Sequence, residues 1–139
     1  MGNHKTRFGA ECDRIERIHR EAEKLMGLDA AWTIEVIFDP GYDGDMEYDE
    51  EHTIHATCAV TTTRPEYLTA KVRYFLPITL AKSDETMFFV AVHELCHVIN
   101  SVACRHLPLG KKNINQDEEL ATERMARAIM AAAGMEIPR

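Results

Sequence analysis

We expect neither a secretory signal peptide nor a membrane-spanning segment in this sequence of 139 residues. The segment from Met1 to Phe8 is polar and lacks the apolar core that defines a secretory signal peptide. No stretch has the roughly 20 predominantly apolar residues that a membrane-spanning helix needs. From these absences we expect a cytoplasmic protein that does not interact with a membrane.

Closely spaced cysteine pairs are also missing. The four cysteines are Cys12, Cys58, Cys96 and Cys104, and no two of them have C-x-x-C spacing. Because the sequence shows no route to an oxidising compartment, we expect all four to remain reduced thiols.

The chain contains no cluster of basic residues. Its 16 Lys and Arg are outnumbered by 23 Asp and Glu, which gives a net charge of −7. Such an acidic chain is a poor candidate for binding nucleic acid or an anionic membrane surface. There is no internal repeat or low-complexity linker, so the length and the 45% apolar content predict one domain, residues 1–139, with a single core. The sequence predicts no particular oligomeric state.

The most informative stretch that is present is His93-Glu94-Leu95-Cys96-His97, an H-E-x-x-H motif. Residues four apart lie on one face of an α-helix, so both imidazoles can be directed at one point. Two imidazoles suit Zn²⁺, which needs a third protein ligand and an open water position for catalysis. Glu94 projects beside them and can take a proton from that water, as in metallopeptidases.

The motif lies in an apolar stretch that predicts a buried helix. Ser83 can cap this helix, and neither Gly nor Pro interrupts residues 83–107. Apolar residues occur on nearly every side of the helix, which is typical of burial. Buried histidines need partners, because lone buried polar groups are costly. Hydrogen bonds within the core are the alternative to a metal for His93 and His97.

The remaining pattern predicts an α+β fold with the element order α-β-β-β-α-α. We expect an N-terminal helix that Gly27 ends, and then a three-stranded, mainly antiparallel sheet. The short link between the second and third strands makes that pair antiparallel. The predicted first helix and three strands are residues 11–26, 32–38, 53–63 and 68–76.

A loop at residues 105–116 is expected to connect the motif helix to a last helix, residues 118–133. Asp117 is the predicted cap of that helix, and Gly134 and Pro138 end it.

Two polar stretches have only a partial likeness to metal sites. Residues 39–51 carry seven acids, but Tyr48 occupies the position at which a calcium loop beginning at Asp43 needs glycine. We expect a solvated loop there. His52 and His55 are three residues apart at the start of a predicted strand, where they would point to opposite faces, so we expect no shared metal.

An acid of the last helix is expected to complete the metal site, and Glu118 and Glu119 compete for this role. A helical wheel places Glu118 nearest to the apolar face. Glu119 has Glu123 four residues later on the same side, so one acid could bind the metal while the other orients a ligand histidine. Either residue could instead be a solvated glutamate in the first helical turn.

His93-Glu94-x-x-His97 followed by an acidic helix resembles the gluzincin clan of zinc metallopeptidases, which includes thermolysin. Without thermolysin's large additional domain, the chain is most similar to minimal metallopeptidases of phages and mobile elements, distant relatives of the SprT-like and repressor-cleaving immunity peptidases. The resemblance is carried by motifs at residues 93–97 and 118–126, and elsewhere only the element order matches.

The resemblance implies a zincin-like fold and favours Glu119 over Glu118 as the third ligand. In the clan, an acid or amide follows the ligand glutamate at i+4, with a bulky apolar and a small residue at i+6 and i+7. Counted from Glu119, these positions hold Glu123, Met125 and Ala126.

The resemblance further implies peptide-bond hydrolysis with one Zn²⁺ bound by His93, His97 and Glu119. Glu94 would be the general base, and Glu123 would orient a ligand imidazole. A peptide or protein substrate would pair by strand addition with the second strand. The residues implied for this pairing are Thr57, Cys58, Ala59 and Val60.

The sequence departs from the larger members of the clan, which use an additional Tyr or His to stabilise the oxyanion. Before the last helix, the comparable side chains are His106 and Arg105, and no motif selects either. After His97, residues 98–105 also lack the x-x-G-x-x-H that would complete the longer H-E-x-x-H-x-x-G-x-x-H motif, which excludes a metzincin.

A non-catalytic regulatory or binding module held together by zinc is the alternative, together with a hydrolase that acts on something other than a peptide. Structural zinc sites favour cysteine and close all four positions. Cys96 lies inside the motif, but three residues after His93 it points away from the face that the two histidines share.

Overall fold

The computed structural model describes residues 8–40, 58–104 and 112–138. Within these ranges the chain is an α+β protein with four α-helices and a three-stranded mixed sheet. The elements in chain order are α1 (Gly9–Met26), β1 (Thr33–Asp39), β2 (Ala59–Arg64), β3 (Thr69–Phe75), α2 (Leu76–Thr79), α3 (Asp84–Cys104) and α4 (Lys112–Ala132).

Several sequence predictions concern residues outside the described ranges. They include most of the acidic loop at residues 39–51, the start of the second predicted strand, Thr57, and both candidate oxyanion residues, Arg105 and His106. His52 and His55 also lie outside the described residues.

The N-terminal helix α1 forms where its apolar periodicity predicts it. Ile15, Ile18 and Ala22 recur on one face and are buried in the core. The helix ends at Gly27, whose φ of 72° lies in the left-handed region that glycine adopts without a steric penalty. The predicted end of the first helix is therefore confirmed.

The three strands occupy the predicted segments, but they form a mixed sheet of order β1-β3-β2. β2 and β3 are antiparallel, as their short connection predicts, whereas β1 is parallel to β3. The prediction of a mainly antiparallel sheet is therefore not confirmed. A parallel pair needs a long connection, and residues 40–68 separate β1 from β3 along the chain.

Helix α3 carries the H-E-x-x-H motif through the centre of the described structure. Its start is capped as predicted, since the Ser83 hydroxyl accepts a hydrogen bond from the Thr86 amide at 3.1 Å. Helix α3 is long and apolar enough to cross a membrane, contrary to the prediction that no stretch of the sequence is. The core helix of a soluble protein can be equally long and apolar. Here α3 packs against α1, β2 and α4.

The last helix α4 begins at Lys112, so the prediction that Asp117 caps it is wrong. Asp is a good cap, but it is also tolerated inside a helix, and neither Gly nor Pro occurs between residues 111 and 117. The earlier start places Glu118 and Glu119 in the second turn. The predicted end is confirmed, because Gly134 has a φ of 71°.

One hydrophobic cluster joins the helices to one face of the sheet. Alternation along the strands directs Ala59, Ala70, Val72 and Tyr74 into it, while Lys71 and Arg73 on the opposite face are exposed. Ala126 and Met130 bring α4 into the same cluster. The packing of α3 between the sheet and α4 brings the motif close to both β2 and the acidic helix.

Candidate metal centre

His93 and His97 lie one helical turn apart on the face of α3 that packs against α4. Their ring centroids are 5.1 Å apart, and each side chain is 19% exposed. The rings are therefore held by the protein on one side and open to solvent on the other. This is the predicted shared face of the two histidines.

Glu119 of α4 lies opposite the outer ring nitrogens of both histidines. Its Oε1 is 2.8 Å from His97 Nε2, and its Oε2 is 3.8 Å from His93 Nε2. The Glu119 side chain is 58% exposed, so this part of the cluster faces solvent. The Nε2 atoms of both histidines thus face the same carboxylate, each opposite a different oxygen.

The inner ring nitrogens have carboxylate partners of their own. His97 Nδ1 lies 2.7 Å from Glu118 Oε1, and His93 Nδ1 lies 3.2 Å from Glu123 Oε1. A carboxylate on Nδ1 can hold a hydrogen on that nitrogen, so that a metal bound at Nε2 would replace the proton that Nε2 otherwise shares with Glu119. The predicted orienting role of Glu123 therefore has the contact that it requires.

Glu118 contributes a contact that the sequence analysis missed. The sequence predicts that only one of Glu118 and Glu119 serves the site, yet both reach His97, Glu118 at Nδ1 and Glu119 at Nε2. The signal was present in the helical wheel, which placed Glu118 nearest to the apolar face. Asn100 and Thr122 extend this side of the cluster, since Asn100 Nδ2 donates to Thr122 Oγ1 at 2.9 Å.

Glu94 lies on the sheet side of the motif and is only 8% exposed. Thr61 of β2 donates a hydrogen bond from Oγ1 to Glu94 Oε1 at 2.7 Å. Burial raises the pKa of the Glu94 carboxyl, and the Thr61 hydrogen bond opposes that rise in part. Thr61 is a second residue that the sequence analysis did not select, because its role depends on how β2 packs against α3.

Electrostatics within the cluster favour positive charge. Burial disfavours protonation of His97, but its hydrogen bonds to Glu119 and Glu118 outweigh burial and raise its pKa to about 9. The pKa of His93 is also raised, because Glu119 and Glu94 outweigh burial. Hydrogen bonds from His93 and His97 hold the pKa of Glu119 far below its usual value. The cluster therefore stabilises a proton or another cation.

Two imidazoles and one carboxylate form a donor set of the kind that zinc binds. Tetrahedral zinc with bonds of about 2.0–2.1 Å separates its ligand atoms by roughly 3.3 Å. The Glu119 oxygens lie 2.8 and 3.8 Å from the two Nε2 atoms, on either side of that value. Within the described ranges, the groups whose ligand atoms all lie within 4.8 Å of one another are His93, Glu94 and His97, and His97, Glu118 and Glu119. His97 belongs to both groups, whereas His93 and Glu119 share none, so the two side chains would have to move closer together to bind one ion.

The cysteines take no part in these groups. All four lie in the described ranges, and none forms a disulfide. Cys96 is fully buried in the hydrophobic core, and burial raises the pKa of its thiol to about 12. A thiol held in its neutral form is a poor metal ligand. The burial of Cys96 in the core agrees with the prediction that its side chain points away from the histidines.

β2 is an edge strand of the described sheet, and its backbone alternates between β3 and the open edge. The Cys58 carbonyl accepts a hydrogen bond from the Phe75 amide, and Val60 pairs with Arg73 in the same register. By alternation, the backbone groups of Ala59 and Thr61 face the open edge. Of the predicted pairing residues, Ala59 is thus placed at the edge, whereas Cys58 and Val60 face β3.

Comparison with known proteins adds no relatives. A scan against protein-family models, a search of curated proteins and a search of solved structures each found no match for this chain.

Proposed function

We propose that this protein is a zinc-dependent peptidase in which His93, His97 and Glu119 bind one Zn²⁺. The observation that carries the proposal is the division of the ring nitrogens. Both Nε2 atoms converge on Glu119, while both Nδ1 atoms contact other carboxylates. Histidines that bind metal have this arrangement, in which an outer partner fixes the tautomer and orients the ring.

The proposed reaction is hydrolysis of a peptide bond. Zinc at this position supplies Lewis acidity, which lowers the pKa of water and polarises a carbonyl. Glu94 accepts the proton of the attacking water and later donates it to the leaving amine.

The substrate is proposed to bind as an extended strand along the open edge of β2. Ala59 and Thr61 present backbone donors and acceptors at that edge, and extended peptides add to such edges by hydrogen bonding. The Thr61 side chain contacts Glu94. A peptide paired with β2 would therefore pass close to the general base.

We also propose that the fold is zincin-like. A mixed sheet with an antiparallel edge strand against the motif helix, followed by a glutamate-bearing helix, supports a zincin-like architecture. We propose on this basis, and on the motif, that the chain is a minimal gluzincin-type peptidase that acts in the cytoplasm.

Metal analysis of the native protein tests this function most directly. Inductively coupled plasma mass spectrometry should find one zinc per chain, and His93→Ala should remove it. Protein without zinc after purification in zinc-containing buffer would contradict the proposal.

Hydrolysis of fluorescein-labelled casein then separates an enzyme from a zinc-stabilised binding module. Glu94→Gln preserves shape and removes the basic oxygen, so it should retain zinc and lose roughly 10²-fold or more in rate. If X-ray absorption shows a fourth protein ligand in the zinc-loaded wild-type protein, and that protein does not hydrolyse casein, the results favour the non-catalytic module.

A further inference from the structure

Arg127 of α4 contacts the carboxylate that orients His93. Its Nε donates a hydrogen bond to Glu123 Oε2 at 2.5 Å, and the other oxygen of Glu123 lies 3.2 Å from His93 Nδ1. The Glu123 carboxylate therefore joins Arg127 to His93, with one oxygen for each.

The Arg127 guanidinium is itself held by an aromatic ring of α3. Its central carbon lies 5.7 Å from the centroid of the Phe89 ring, within the range of a cation–π contact. The Phe89 ring lies 6.4 Å from the His93 ring, one turn further along the same helix. The contacts thus form a closed ring of four side chains. Two of them, Phe89 and His93, belong to α3, and the other two, Glu123 and Arg127, belong to α4.

We propose that Arg127 is a positioning residue for the metal ligand His93, acting through Glu123. This inference rests on the proposed zinc site and extends it to a residue outside the ligand set. The Glu123 side chain is 35% exposed, so without a second partner it can rotate towards water. Arg127 restricts Glu123 to the rotamer that reaches His93 Nδ1.

Charge and positioning make opposite predictions for the loss of Arg127. A guanidinium close to a cation site repels the cation, so a purely electrostatic role predicts that Arg127→Ala binds zinc more tightly. Positioning predicts weaker binding, because His93 loses an orienting partner that is held in place. The sign of the change in zinc affinity therefore distinguishes the two.

Zinc affinity, measured by competition with a chromophoric chelator, provides the test. Arg127→Ala should weaken binding by about three- to tenfold, less than the 10–100-fold typical of losing a direct ligand partner. Arg124→Ala is the matched control, because it removes the same exposed charge from the same helix three residues earlier, and it should not weaken binding. Arg127→Lys should recover only part of the loss, since an ammonium lacks the planar fork of arginine.

A double-mutant cycle with Glu123→Ala isolates the pathway. Once Glu123 is absent, Arg127→Ala should weaken zinc binding no further, because the contact through which Arg127 acts is gone. Long-range nitrogen–proton NMR of the zinc-bound protein should also show a His93 Nδ1 environment that changes in Arg127→Ala and not in Arg124→Ala.

Unchanged or tighter zinc binding by Arg127→Ala would overturn the positioning role and leave the zinc site intact. An equal loss from Arg127→Ala with and without Glu123 would also overturn it. Failure of the wild-type protein to bind zinc would overturn both the proposed function and this inference. Circular dichroism of each variant ensures that the comparison is made between folded proteins.

Discussion

In the part of the chain that the structure describes, two clusters pair histidine with glutamate, one between α1 and β3 and one between α3 and α4. In the first, His19 and Glu23 are both buried, with 0% and 3% of their surface exposed. His19 Nδ1 is 2.7 Å from the Tyr74 hydroxyl, and Arg20 contacts both Glu23 oxygens at 2.7 and 2.8 Å. Arg20 also lies 3.6 Å from Glu16, so both carboxylates of this cluster contact one guanidinium. His19 lies between the neutral Tyr74 hydroxyl and Glu23, whose Oε1 is 3.5 Å from His19 Nε2.

The cluster between α3 and α4 is not balanced in this way. Two partly exposed histidines face Glu118, Glu119 and Glu123, and Arg127 contacts only the last of these acids. Histidine beside glutamate is therefore not by itself a metal site. The difference lies in the excess of carboxylates, the convergence of both Nε2 atoms and the access to solvent, which together favour an added cation.

Substitution of Glu119 should have the largest effect on the cluster between α3 and α4. Glu119→Ala removes a proposed ligand and should weaken zinc binding by more than about 100-fold, whereas Glu118→Ala and Glu123→Ala should each cost roughly 10–100-fold as losses of orienting partners. Chelator competition measures all three. If Glu118→Ala empties the site while Glu119→Ala does not, the ligand assignment is wrong.

Substitution of His19 should affect stability and not metal binding. His19→Ala leaves a cavity and deprives the buried Tyr74 hydroxyl of its partner, so we expect a loss of about 2–4 kcal/mol in the free energy of unfolding. Urea denaturation measures this loss. Zinc affinity of the folded variant should change little, because separate sites are nearly additive; a large fall would show that the two clusters are coupled.

Removal of zinc should lower thermal stability through the cluster between α3 and α4. An ion at 100 times its dissociation constant stabilises the folded state by about 2.7 kcal/mol, which corresponds to roughly 5–10 °C in Tm for a domain of this size. Differential scanning calorimetry with and without chelator checks this. Glu119→Ala is the control and should be insensitive to chelator; equal melting of zinc-loaded and zinc-free wild-type protein would contradict the prediction.

The smallest expected effect is a pH dependence in the cluster between α1 and β3. Burial tends to raise the pKa of Glu23, but hydrogen bonds from His19 and Arg20 outweigh it and lower the pKa below the model-compound value of 4.5. A lowered pKa means that Glu23 contributes stability above its unfolded pKa, and that this contribution is lost as pH falls through the folded value.

Comparison of wild-type protein with Glu23→Gln tests this sign. Urea midpoints in chelator should show wild type as the more stable protein near neutral pH, with the difference narrowing below about pH 4.5. A difference that is constant with pH would show that Glu23 acts through packing and not through its charge.

Local signals explain which parts of the fold could be predicted. Gly27 and Gly134 end their helices as expected, and the strand segments follow from their alternation and β-branched residues. The start of α4 was not predictable from Asp117, because a residue that can cap a helix can also lie inside one. The parallel pairing of β1 with β3 depends on a crossover that no local pattern reveals.

The sequence by itself determined that His93 and His97 share a helical face with Glu94 beside them, because helical periodicity alone fixes those directions. It also limited the proposed third zinc ligand to one acidic segment. Only the tertiary structure decided which nitrogen meets which carboxylate, with Glu119 at Nε2, Glu118 and Glu123 at Nδ1, and Thr61 on Glu94. Those contacts join elements that are distant in sequence, and they depend on the packing of α3 between β2 and α4, which periodicity within one helix does not specify.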